Sequence, residues 1–139
     1  MVKTITQKVV FKNTTPEQLY ELYMDARKHT LVTGAPATIS KKEGSAFTAH
    51  GKYISGKNFR LTPGKMIVQS WRGQNWTKDE LDSVFSLQFE KQGKNAVLHM
   101  THSNVPANHA EGIKKGWNQH YWKPWASFLA GKKIKRVTM

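Results

Sequence analysis

There is no cysteine in this 139-residue chain, and that one absence removes disulfides, zinc–thiolate centres and thiol nucleophiles together. Stability has to come from packing and hydrogen bonding alone. Long apolar runs are missing as well. Nowhere do about 18 consecutive apolar residues occur, and the amino terminus has no basic stretch leading into an apolar segment and a small-residue cleavage site. Neither a membrane span nor an export signal is expected, and a cytoplasmic location is the default. Acidic residues are few, 9 against 22 Lys plus Arg, which leaves a formal net charge of +13.

Arginine is scarce within that excess, limited to Arg27, Arg60, Arg72 and Arg136. Lysine supplies the rest and is spread along the chain, with one cluster at Lys132, Lys133, Lys135 and Arg136. Readers of nucleic acid concentrate Arg and aromatic residues on one element, so scattered lysine argues against that partner and for a solvated basic surface, compatible with an acidic protein partner. Catalytic motifs are also sparse. No serine elbow occurs, and Glu17, Glu21, Glu80 and Glu111 fall in capping or solvated contexts. A strand places His99 and His102 on opposite faces, and no His–Glu pair has helical ligand spacing apart from a chance match. No metal, cofactor or catalytic residue is therefore expected.

What remains is the composition of an ordinary globular chain, 38% hydrophobic and 22% charged, of a size that suits one domain over residues 1–139. Over residues 3–12, Ile5, Val9 and Phe11 alternate with Thr4, Thr6, Lys8 and Lys12, the pattern of a half-buried strand. Thr15-Pro16-Glu17-Gln18 reads as a capping box that opens a helix, and Leu19, Leu22, Tyr23 and Ala26 recur along it at helical spacing. Gly34-Ala35-Pro36 ends the helical stretch.

Short strand-like pieces follow over residues 38–41, 46–50, 53–61 and 66–72, with Gly56 expected at a bulge and Pro63-Gly64 at the centre of a type II turn. Phe85, Leu87 and Phe89 define the inner face of a further strand, and residues 96–102 pair with it after a turn at Gly93. The segment from about 108 to 130 has a helical period, with Ile113, Trp117, Tyr121, Trp125, Phe128 and Leu129 on one apolar face. Trp122 falls off that face and is expected to be exposed. Pro124 removes a helical hydrogen bond, so a kink or break is expected there.

This order implies an α+β fold of the helix-grip kind, a curved antiparallel sheet of about six or seven strands wrapped around a long carboxy-terminal helix. Gly34-Ala35-Pro36-Ala37, Ser55-Gly56, Leu61-Thr62-Pro63 leading to Ile67-Val68 and Trp71-Arg72, and Gly116-Trp117 with Tyr121 carry a resemblance at this point. The chain resembles, over nearly its whole length, the carboxy-terminal domain of the activators of the ninety-kilodalton heat-shock chaperone's ATPase, a branch of the START-like superfamily. The eukaryotic co-chaperones of that family carry a separate amino-terminal domain that supplies the main chaperone contact, whereas this sequence starts directly at the START-like strand.

The resemblance implies a non-enzymatic module with an internal apolar cavity for a small hydrophobic ligand or, alternatively, a chaperone-associated interaction module. Some relatives in the superfamily are enzymes, and there Tyr121 or His99 would be the residues to act. The candidate ligand-binding set is aromatic: Phe47, Phe59, Trp71, Phe85, Trp117, Tyr121, Trp125 and Phe128. Gly116 and Pro124 are expected to help shape the cavity, and plain core packing is the competing explanation of the same side chains.

Overall fold

A computed structural model describes residues 1–131, so the basic cluster from Lys132 to Arg136 lies outside the described residues. Six strands form one antiparallel sheet in the order β1-β6-β5-β4-β3-β2: β1 (Val2–Phe11), β2 (Ala46–Ala49), β3 (Ile54–Thr62), β4 (Met66–Gly73), β5 (Ser83–Gln92) and β6 (Asn95–Pro106). The expected strand at 38–41 is reduced to a single bridge between Thr38 and Thr48. β1 closes one side of the sheet with ten residues; Lys3 and Lys8 are exposed along it and Lys12 just past its end.

Alternation fixes the register. Phe85 faces His102, Leu87 faces Met100 and Phe89 faces Leu98 across β5 and β6, and Ile67 and Gln69 of β4 continue those rows. All these side chains are on the concave face and buried. The convex face is polar, with Thr6, Thr101, Ser86, Val68 and Arg60 forming one row across five strands.

Two short helices, α1 (Pro16–Met24) and α2 (Ala26–Thr33), follow β1. The capping box is formed: Gln18 N donates to Thr15 Oγ1 at 3.2 Å, and Thr15 N donates to Gln18 Oε1 at 2.8 Å. Asp25 ends α1 and caps α2, accepting from Arg27 N and Lys28 N at 3.0 Å each. Gly56 is not a bulge. A Cβ there would stand 2.0 Å from the Ser70 carbonyl oxygen, so the residue is a point of close backbone approach. The bulge lies beyond it, between Asn58 and Arg60.

The carboxy-terminal helix runs through α3 (Ala107–Trp117), a π turn at Asn118–Trp122 and α4 (Lys123–Leu129). Pro124 therefore does not split the helix. It has no N–H to donate to the His120 carbonyl, and the wide turn just before it absorbs the irregularity, with Lys123 N–H reaching back five residues to Asn118. Five residues now span about one turn, which swings Trp122 inward. The expectation that Trp122 is exposed is thereby corrected: it is 3% exposed and stacks on Trp117 at 5.4 Å and 10°. The Gln7 side chain of β1 clamps this stretch, donating to the Lys114 carbonyl at 3.2 Å and accepting from Trp122 Nε1 at 2.7 Å.

Candidate functional site

Between α3, the π turn and the β3–β4 end of the sheet lies a half-open cleft of about 560 Å³. Ile54, Trp71, Ile113, Trp117 and Tyr121 supply its apolar surface, Gly112 and Gly116 leave the helix backbone bare, and His50, His120, Asn75 and Asn108 add polar groups. Tyr53 and His109 complete the lining, and Tyr53 Oη donates to Asn75 Oδ1 at 2.8 Å.

Two buried hydrogen-bond chains hold the walls, and each fixes a tautomer. Trp117 Nε1 can only donate, so His102 Nδ1 accepts from it at 3.0 Å. His102 Nε2–H then donates to Ser83 Oγ at 2.7 Å, and Ser83 donates to the Trp71 carbonyl at 2.9 Å. The second chain starts at α2. His29 Nδ1–H donates to the Tyr23 carbonyl at 2.9 Å, which leaves Nε2 to accept from Tyr121 Oη, also at 2.9 Å. Tyr23 Oη donates to Gln69 Oε1, and Gln69 Nε2 donates to Asn58 Oδ1, both at 2.7 Å.

Burial lowers the pKa of His29 to about 4 and that of His102 to about 3, and it raises the pKa of Tyr121. Both imidazoles are neutral and the Tyr121 O–H is committed to His29 Nε2, so the inner wall offers orientation and apolar contact. At the mouth, burial and then the neighbouring His120 lower the pKa of His50. Among the described residues no group of three or more His, Asp or Glu could hold a metal ion. No helix there is long and apolar enough to cross a membrane.

Of the eight aromatic residues proposed from sequence, Trp71, Trp117 and Tyr121 line the cleft. Phe47, Phe85 and Trp125 are buried in the core, and Phe128 packs half-buried against it. Phe59 is 53% exposed, because the even-numbered residues of β3, Ile54 and Asn58, take the inward positions. Gly116 lines the cleft, and a Cβ there would meet only His120 Cδ2, at 3.8 Å. Pro124 is not part of the lining. Among the lining residues missed from sequence, Gly112 and His120 share with Gly116 a spacing of four, which a search for apolar side chains alone passes over.

The sheet, the grasping helix and the cleft between them define a START-like helix-grip domain. The profile of the family described as "Activator of Hsp90 ATPase homolog 1-like protein" matches residues 13–129, and the chain belongs to that family. Among curated relatives it is 30% identical over 125 residues to the human activator of 90 kDa heat shock protein ATPase homolog 1, covering 88% of this chain and 37% of that one. It is 29% identical over 119 residues to the Dictyostelium discoideum homolog, covering 85% and 30%. The chain thus spans about a third of the length of these relatives.

The crystal structure of an HSP90 activator from Plasmodium falciparum superposes with a TM-score of 0.80 at 25% identity, covering 96% of this chain and 98% of that one. The solution structure of the Aha1 dimer from Colwellia psychrerythraea superposes at 0.78 with 16% identity, covering 94% and 99%, and shares the fold.

Proposed function

We propose that this chain is a chaperone-associated interaction module that docks on an acidic surface of a ninety-kilodalton heat-shock chaperone. The observation that carries this reading is the agreement, over 98% of its chain, with a solved HSP90 activator. The net charge of +13 supports it, since a basic surface steers association with an acidic partner. A pull-down and an ATPase assay with the host's own chaperone test it. Association should be present at about 50 mM salt and fall by roughly tenfold or more at about 300 mM, as exposed charges are screened. No association at the lower salt would overturn the reading.

A second reading rests on a separate observation, the aromatic-walled cleft of about 560 Å³. Its volume falls within the range of small-molecule sites, roughly 300 to 1,000 Å³. On this reading the domain holds a small, largely apolar ligand there without catalysing a reaction on it.

A further inference from the structure

The wall that α3 contributes to the cleft has no side chains where they would be expected. Gly112 and Gly116 lie one turn apart, and a Cβ on Gly112 would meet nothing within 4 Å. Neither residue has a positive φ, so neither backbone geometry nor close packing within the chain calls for glycine, the poorest helix former after proline. The effect of the pair is an open slot along the helix backbone, broad enough for a flat ligand to lie against.

At the mouth stand two imidazoles that make no hydrogen bond among the described residues. The His50 and His120 ring centroids are 5.3 Å apart, edge to face, and His50 also rests against the Tyr121 ring at 5.7 Å. His50 has a φ of 52° beside Gly51 at 70°, a backbone conformation uncommon for a residue with a side chain. That turn sets its ring against the π turn. Among the described residues no Asp, Glu, Lys or Arg lines the cleft. The third histidine there, His109, is already engaged, paired with Glu80 at 3.2 Å and stacked on Trp76 at 5.4 Å. Two neighbouring rings with free N–H donors match the two oxygens of one carboxylate, and the protein's positive field draws an anion towards them.

We infer that the cleft is a site for a flat aromatic carboxylate, its rings lying over Gly112 and Gly116 against Trp71 and its carboxylate held between His50 and His120. This rests on the reading of the cleft as a ligand site and adds the shape and charge of the ligand. Among the described residues, the titratable groups beside the imidazole pair are the two rings themselves, the Tyr121 ring, whose hydroxyl is bonded to His29, and the buried His29, which senses charge on His50. A bound carboxylate favours a protonated His50 against the burial and the neighbouring His120 that disfavour it, so binding takes up protons and tightens as pH falls from about 8 to about 6.

Calorimetric titration of the full chain with 2-naphthoate and with neutral 2-naphthamide tests the inference. Naphthoate should bind at least about tenfold more tightly at pH 6, with a preference that shrinks towards unity at pH 8 and in the His50→Asn/His120→Gln variant. Asparagine tolerates the left-handed backbone at position 50. Gly112→Leu, which fills the slot, should abolish binding of both probes. In the unmodified protein, amide NMR shifts centred on Gly112 and Gly116 locate the probes should that variant fail to fold. Equal binding of the two probes at the cleft overturns the carboxylate inference and leaves the ligand-site reading standing. A naphthoate preference that survives loss of both imidazoles also overturns the inference. Binding of neither probe overturns the inference and the reading together.

Discussion

Trp117 carries two jobs in one side chain. Its ring packs edge-on to Phe85 at 5.1 Å and stacks on Trp122, while its Nε1 supplies the donor that His102 Nδ1 accepts. Truncation to alanine opens a void and orphans a buried acceptor, so Trp117→Ala should cost about 3 to 5 kcal/mol, with the unpaired His102 adding to the loss. Trp122→Ala should cost a similar amount, because the π turn buries it equally well. Trp117→Phe separates the two effects: it keeps most of the packing and should lose only the roughly 1 to 3 kcal/mol of the unsatisfied nitrogen. Denaturant midpoints of the three variants decide this. A Trp122→Ala midpoint near that of the unmodified protein would show that the turn is not populated in solution.

At the scale of elements, the π turn is the feature on which the others depend, and Gln7 is its main external support. Gln7→Ala removes a donor to Lys114 and the acceptor for Trp122 in one substitution. It should cost about 1 to 3 kcal/mol and speed amide exchange across residues 118–123. Unchanged exchange there would mean that the turn holds itself.

The turn also marks where sequence reasoning stops. Strand alternation at Phe85, Leu87 and Phe89, and the Thr15–Gln18 box, are local signals, and each is realised as expected. Trp122 was misplaced because a constant period of 3.6 residues was carried through residues 118–122, where the turn widens to a π turn. Phe59 was misplaced because strand parity in β3 cannot be set without knowing that Asn58, a polar residue, is the inward one. The cleft itself was only partly legible: its aromatic wall could be anticipated, but the bare glycines and the left-handed His50 become meaningful only when tertiary contacts bring them together.

For the whole molecule, the two buried imidazoles link folding to pH. His29 and His102 are held neutral in the fold, with pKa values of about 4 and about 3 against an ordinary value of 6.5. The unfolded chain therefore takes up protons first as pH falls, and stability that is complete above about pH 6.5 is lost progressively on the way down to pH 4 and 3. The full loss is on the order of 3 kcal/mol for His29 and 5 kcal/mol for His102, against roughly 5 to 15 kcal/mol for a typical domain. Protonated His102 would also point an N–H at the donor of Trp117, a conflict that Tyr121 can escape at His29 by turning its hydroxyl. Urea midpoints should fall steeply between pH 7 and pH 4.5, with a shallower slope in His102→Gln. Midpoints that do not move over that range would refute the linkage.

The ten-residue margin of β1 has a consequence of another kind. Among the described residues nothing pairs with its outer side, and such a row of free amides and carbonyls is a template on which a second molecule can crystallise its own strand. Lysines at positions 3, 8 and 12, together with a net charge of +13, oppose the approach of a second copy there. Colloidal dispersal is thus bought with electrostatic repulsion, whose reach shrinks to about 8 Å at physiological ionic strength. Screening that charge should therefore favour edge-to-edge association of copies along β1.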